Sequence, residues 1–444
     1  MKAIGPLRVH PENPRYVADA SGKAVLLIGS HTWANFQDIG FEGDKPFDYD
    51  EFMDFMSAHH YNFMRFWTWE HSAWATWTAE KVVFGPLPHL RTGPGLALDG
   101  KPKFDLDQWD EAYFNRMRHR VAVAGERGVY ASVMLFQAFS GIWPHSKDHM
   151  NDAFRGHYYN VANNVQGLDG DKDRNSILDI DDPEVRARQA AWIRKVVHTV
   201  NDLDNVLYEV INEGGNDDWD RFVIDTVRDC ENALAKKHMI GITGHGGVKW
   251  DGMLASDCEW ISPGSHEGPL FQDVVNDPPA WDGRKVSVLD TDHIWGHGMN
   301  YKWVWRSFTR GHNVLFMDPR TPIPGGWPEP PRNAPDFPGY EEGRQAMRNV
   351  AKLAARLDLA RMTPEPSLAS TGFCLAEPGE AYVVYLPDGG EAEVDLRAGG
   401  GTFAVVWLAP VRDQIVHWGT IEGGAKRRLR CPFENDCALL LRRM

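Results

Sequence analysis

The chain predicts an α/β fold, a (β/α)₈ barrel followed by a small antiparallel β-sandwich, and three observations predict it. Eight short apolar runs each end in a polar or aromatic cluster; helix-compatible stretches separate most of them; and after residue 362 the pattern turns to strand alternation. In such a barrel, side chains at strand C-termini line the active site, and those deeper down fill the core.

The first run, Ala24-Val25-Leu26-Leu27-Ile28-Gly29, follows a Gly22-Lys23 turn and delivers Ser30-His31-Thr32-Trp33. The second, from Tyr61 to Phe66, delivers Trp67-Thr68-Trp69-Glu70-His71, and the third, from Tyr130 to Phe136, delivers Gln137. The fourth, Asn205-Val206-Leu207-Tyr208-Glu209-Val210-Ile211, ends in Asn212-Glu213 and breaks on Gly214-Gly215. The fifth, from Met239 to Ile242, ends near Thr243-Gly244-His245; the sixth, from Glu259 to Ser262, ends near His266-Glu267. The seventh, from Lys285 to Leu289, delivers Asp290-Thr291-Asp292-His293, and the eighth, from Asn313 to Met317, delivers Asp318-Pro319-Arg320.

Between runs, local signals start helices. Asp182-Pro183-Glu184 supplies an N-cap, a proline at the first helical position and an acidic first turn. Ile193, Val196, Val197 and Val200 then recur at helical spacing until Asn201-Asp202-Leu203-Asp204 breaks the stripe. Tyr49-Asp50-Glu51 before Phe52, Phe55 and Met56, and Asp105-Leu106-Asp107 before Trp109, Tyr113 and Met117, read as two further starts. Residues 71–104 and 138–180 lack periodicity and are expected as loops above the barrel mouth.

The barrel is expected over 1–362 and the β-sandwich over 363–444. Prolines around Thr363-Pro364-Glu365-Pro366 end the last helix. The stretch from Ala381 to Leu386, the turn Pro387-Asp388-Gly389-Gly390 and the stretch from Thr402 to Trp407 follow as strands and a tight turn.

Composition narrows the function. The 444 residues carry a net charge of −15, which argues against nucleic-acid binding, because phosphate recognition draws its affinity from clustered Lys and Arg. The one basic cluster, Lys426-Arg427-Arg428-Leu429-Arg430, is short and reads as a solvated strand or loop. Five cysteines without metal-ligand spacing argue against a disulfide scaffold. No apolar run is long enough for a signal peptide or membrane span, so a cytoplasmic protein is expected, or a secreted or periplasmic one whose leader has been removed. No cofactor is called for. Eighteen tryptophans, including Trp33, Trp67, Trp69, Trp74, Trp77, Trp143, Trp295, Trp303 and Trp305, suit stacking on sugar rings, although about half should serve only as core.

Asn and Glu also follow strands merely because loops are polar. What singles out Glu213 is its place across the barrel mouth from Asp290 and Asp292. Two carboxyl groups facing one cavity are what glycoside hydrolysis needs, one to protonate the leaving oxygen and the other to attack or to activate water. Asn212 is a hydrogen-bond donor for a sugar hydroxyl, Arg65 a charge that keeps one carboxylate ionised, and Glu209 a buried partner for a barrel Arg or Lys. Further expected substrate contacts are His31, Trp33, Trp67, Trp69, Glu70, Gln137, His266, Glu267, His293 and Trp295.

The stretch from Tyr208 to Glu213 resembles the strand-four "NE" signature of clan A glycoside hydrolases, which implies that Glu213 is the acid/base and that the nucleophile ends strand seven. Leu7-Arg8-Val9 through Asn13-Pro14-Arg15-Tyr16, Gly29 to Trp33, Asn62 to Glu70 and the tail from Tyr382 to Leu441 resemble the apiosidase-like barrel family, whose C-terminal β-domain carries a collagen-binding label. That resemblance spans nearly the whole chain and implies a carbohydrate substrate. The sequence departs from the clan at strand seven, which offers Asp290 and Asp292 where a Glu is usual. Asp292 aligns better with the family's Thr-Glu ending, and Asp290 shares its face by strand alternation. Because Asp is one methylene shorter, the carboxyl gap has scope to widen and admit a water, which would permit inversion in place of the clan's retaining chemistry, so the stereochemical outcome is open.

Two rivals use the same residues. Asp290, Asp292 and His293, joined by His31 or His297, could bind a divalent metal in a barrel hydrolase or lyase, although HxH and HExxH spacings are absent. Alternatively, the barrel grips glycan without catalysis, with Glu213 as a strand cap. Sugar identity, linkage and oligomeric state carry no readable code.

Overall fold

The computed structural model describes residues 2–141, 151–172, 176–244, 250–263, 277–294, 299–318 and 340–444. Eight parallel strands close into a barrel: Ile28–His31, Phe63–Phe66, Tyr130–Gln137, Val206–Asn212, Ile240–Thr243, Trp260–Ser262, Val286–Asp290 and Asn313–Met317. These are called strands one to eight. All eight are buried along their length, as expected of parallel strands covered on both faces. The first begins later than the apolar run, because Ala24–Val25 pairs instead with Val17–Ala18 in a three-stranded antiparallel sheet.

Helix Pro183–Val200 starts where the sequence placed it. The Asp182 side chain accepts hydrogen bonds from the Glu184 and Val185 amides, and Ile193, Val196, Val197 and Val200 are fully buried. Helix Tyr49–Ala58 is capped by Asp48. Two expectations fail between strands two and three. Residues Pro102–Trp109 form a strand paired with His89–Leu96, so part of the 71–104 insert is a hairpin, and the next helix starts at Glu111, capped by Asp110. Gln166 and Asn163 hold this hairpin by accepting the Leu106 and Leu98 amides, contacts that local sequence does not encode.

From Thr363 onward the chain forms a six-stranded antiparallel sheet and a two-stranded one. Tyr382, Val384, Phe403, Val405, Trp407, Leu439 and Leu441 make their own core, while Tyr385 stacks on Trp305 of helix Tyr301–Thr309. The basic cluster is strand Lys426–Arg430, registered against the acidic strand Glu391–Asp395, with Glu391 opposite Arg430, Glu393 opposite Arg428 and Asp395 opposite Lys426. Lys426 and Arg428 both reach Glu393, at 3.0 and 3.7 Å, and the strand is mostly exposed. Cys431 is bonded to Cys437, while Cys230, Cys258 and Cys374 are buried thiols. Among the described residues, no helix is long and apolar enough to cross a membrane.

Candidate active site

Arg65, on strand two, organises the barrel mouth. Its guanidinium donates from Nε to Glu209 Oε2 at 2.9 Å and from Nη2 to the other Glu209 oxygen, to Asn212 Oδ1 at 2.6 Å, and from Nη1 to Asp290 Oδ2 at 3.0 Å. The same Nη1 lies 3.5 Å from Asp292 Oδ2 and 3.1 Å from His293 Nε2. Burial would lower the Arg65 pKa, but Glu209 and Asp290 outweigh it and keep the side chain charged. Strands two, four and seven are therefore tied together by one planar cation, whose fixed fork suits several carboxylates at once.

Asp290 is fully committed. It accepts from Arg65, from His31 Nε2 at 2.9 Å and from the Asp292 amide at 3.0 Å. Burial pushes its pKa up, but His31 and Arg65 outweigh that and hold it well below the usual carboxylate range. His31 is fixed from its far side, since Trp67 Nε1 donates to His31 Nδ1 at 2.6 Å. With Nδ1 accepting, the ring is the neutral Nε2–H tautomer, and burial pushes its pKa down to match.

Asp292 lies on a 3-10 turn, Thr291–His293, that begins as strand seven ends. Strand alternation stops there, so Asp290 and Asp292 occupy different environments. Glu213 follows strand four with φ of 54°. An oxygen of Glu213, an oxygen of Asp292 and a ring nitrogen of His293 all lie within 4.8 Å of one another. Burial pushes the Glu213 pKa up to about 8 against the pull of Arg65, with Asp290 and Glu209 adding to the rise. Asp292 is also raised well above its usual value, first by burial and then by Glu213 and Asp290, against Arg65 and a hydrogen bond from Trp33. Two such acids titrate as a pair.

His293 Nε2 faces a donor, Arg65, and an acceptor, Asn212 Oδ1, each at 3.1 Å, while Nδ1 lies 3.0 Å from Ser262 Oγ. Asn212 donates from Nδ2 to Gln137 Oε1 at 3.0 Å, and the Gln137 amide donates to Glu70 Oε2 at 2.9 Å. Glu70 also accepts from Tyr158 at 3.4 Å. These polar groups form one continuous buried network around Arg65.

The tryptophans expected at sugar faces are mostly wall. Trp67 and Trp69 are buried and stacked on each other, and Trp69 Nε1 donates to the Trp33 carbonyl at 2.9 Å. Trp74, Trp77, Trp303 and Trp305 are buried as well, whereas Trp143 lies outside the described residues. Trp33 stands beside Asp292. His266, Glu267, Trp295 and His297 also lie outside the described residues.

Among the described residues, Glu213, Asp292 and His293 also form a group that could hold a metal ion. They fit one poorly, because the Arg65 guanidinium stands 3.1 Å from the His293 nitrogen and 3.5 Å from the Asp292 oxygen. A divalent ion there would sit against a permanent positive charge. Sequence reasoning passed over Ser262 and Thr243; their only signal was a place at the ends of strands six and five.

The family described as "Domain of unknown function (DUF6298)" matches residues 68–258, a span that holds Glu213 but neither Arg65 nor Asp292. No curated protein matches the chain. Among solved structures, a glycoside hydrolase family 5 protein from Bacteroides vulgatus is similar with a TM-score of 0.63 and 13% identity, covering 100% of this chain and 95% of that one. A structure described as "Glycoside hydrolase" is similar with a TM-score of 0.61 and 13% identity, covering 100% and 99%. A maltogenic alpha-amylase from Thermotoga neapolitana is similar with a TM-score of 0.50 and 11% identity, covering 94% and 99%. At these identities the likeness establishes the barrel fold.

Proposed function

We propose that the protein is a glycoside hydrolase that cleaves an O-glycosidic bond of a plant- or algal-type poly- or oligosaccharide with Glu213 as acid/base and Asp292 as nucleophile. The observation that carries the reading is the Glu213–Asp292 pair, whose closest atoms lie within 4.8 Å in a buried site. Acids this close suit direct attack by a carboxylate, for which about 5–5.5 Å between carboxyl groups is usual. The reading is therefore of retention.

Roles follow from surroundings. Arg65 lies 3.5 Å from Asp292, and we assign the negative charge to Asp292 and the proton to Glu213, the acid/base role that the strand-four Asn-Glu ending implies. Glu213 then protonates the leaving oxygen while Asp292 attacks the anomeric carbon. Once the alcohol leaves, ionised Glu213 takes a proton from the incoming water, which releases the sugar from Asp292. Asp290 stays ionised and orients Arg65 and the Asp292 amide. Trp33 offers an apolar ring beside the reacting carbon, and Asn212 a polar group for a sugar hydroxyl. The fold likeness to glycoside hydrolases supports the same class.

The test is a screen of aryl pentosides, aryl hexosides and pectic oligosaccharides with the wild type, Glu213→Gln and Asp292→Asn. Each substitution should lower turnover by about 10²–10⁴-fold and leave folding intact. Unchanged turnover in either variant would refute its assigned role.

A further inference from the structure

We propose that Thr243 is a positioning residue for Glu213, holding the acid's backbone in the left-handed region through one hydroxyl. The inference rests on the glycosidase reading and adds to it a residue outside the carboxylate cluster.

Strand four pairs with strand five only at Tyr208–Ile240 and Glu209–Gly241. Above that level no ladder joins strand four to strand five, and the Thr243 side chain takes over. Its Oγ1 donates to the Ile211 carbonyl at 2.7 Å and accepts the Glu213 amide at 3.2 Å. A hydroxyl has one hydrogen, so the two directions fix each other: the hydrogen goes to the carbonyl and a lone pair to the N–H. Thr243 is fully buried, and water does not compete for either bond.

The backbone at Glu213 explains why this matters. Asn212 reaches Arg65, and Glu213 reaches Asp292 and His293. Two consecutive residues thus serve one cluster, which strand alternation forbids. The φ of 54° at Glu213 breaks the alternation. A long-chain L-residue holds that conformation only where its surroundings over-determine it. The hydroxyl clasps the turn from both ends, at the carbonyl before it and at the amide of Glu213 itself.

The experiment compares Thr243→Val, which keeps the shape and loses the hydroxyl, with Thr243→Ser, which keeps the hydroxyl. On an aryl glycoside turned over by the wild type, valine should lower kcat by about ten- to a hundredfold with KM little changed, the scale expected when a reacting group is displaced by about 1 Å. It should also move the alkaline limb of the pH profile, and serine should restore both. Wild-type kcat and pH profile in the valine variant would overturn the proposal, and so would a serine variant as impaired as valine, since a retained hydroxyl would then not suffice to hold the residue. A crystal structure of the valine variant reads the same point without activity: residue 213 leaving the left-handed region supports the proposal, and an unchanged φ overturns it. If valine prevents folding, Thr243→Ala takes its place in both measurements. Glu213→Gln run alongside separates the two claims. Wild-type turnover in that variant sinks the glycosidase reading, whereas an inactive glutamine variant beside an intact valine variant sinks only the role of Thr243.

Discussion

Glu213 and Asp292, delivered by strands on opposite sides of the barrel, hold acidic oxygens within 4.8 Å of each other in a buried site. Neither can ionise freely there, because each new charge meets low dielectric and the other acid. Arg65, 3.5 Å from Asp292, draws both acids down against burial.

The pH dependence follows from the same pair. The Glu213 pKa rises from 4.5 to about 8, so kcat/KM should fall on the alkaline side with an apparent pKa near that value, and the limb belongs to the pair as a whole. Stability has the same sign. A carboxyl whose folded pKa lies above its unfolded one keeps the folded state protonated, so its contribution is full below 4.5 and is lost as pH rises towards 8. The wild type should therefore lose Tm between pH 5 and pH 8 relative to Glu213→Gln. Parallel melting curves for the two proteins across that window would contradict the burial argument.

Arg65 is predicted to matter for folding as much as for chemistry. Removing it leaves Glu209 and Asp290 buried without their cation, a loss of about 3–5 kcal/mol. Urea unfolding of Arg65→Met should show that loss, and Arg65→Met with Glu209→Gln should recover part of it. Arg65→Lys should not rescue, since a single ammonium cannot reach Glu209, Asn212 and Asp290 together. A double variant no more stable than the single one would show that Glu209 is not the group left unpaired.

Metal removal separates the rival chemistry. With the guanidinium beside His293 and Asp292, EDTA should leave turnover unchanged, and added calcium, magnesium or zinc should not raise it. Loss of activity on chelation, restored by one of these ions, would move the account to metal-assisted hydrolysis.

Much of this was legible in the sequence because parallel barrel strands are apolar along their whole length and turn polar only at the mouth. The eight runs and the capped helix from Pro183 needed nothing beyond that contrast and helix-start chemistry. The 89–109 hairpin was illegible, since Thr92-Gly93-Pro94-Gly95 interrupts its first strand and its hydrogen bonds come from residues about sixty positions away. The candidate acids were visible as strand-end residues, but their different environments were not. Asp290 is spent on His31, Arg65 and a turn, whereas Asp292 faces Glu213, and alternation could not reveal this because a 3-10 turn replaces the strand after Asp290. Thr243 was invisible for a related reason. One hydroxyl at a strand end carries no pattern, and its meaning comes only from the turn it spans.

Azide rescue reads whether Asp292 forms the bond to the sugar while Glu213 handles the proton, as proposed. Asp292→Ala leaves a space where the small anion can attack the anomeric carbon in place of the carboxylate. With an aryl glycoside that the wild type cleaves, azide should restore turnover to Asp292→Ala and yield a glycosyl azide of the opposite anomeric configuration. Failure of azide to rescue Asp292→Ala, together with rescue of Asp290→Ala to the same inverted product, would contradict the account and move the nucleophile to Asp290.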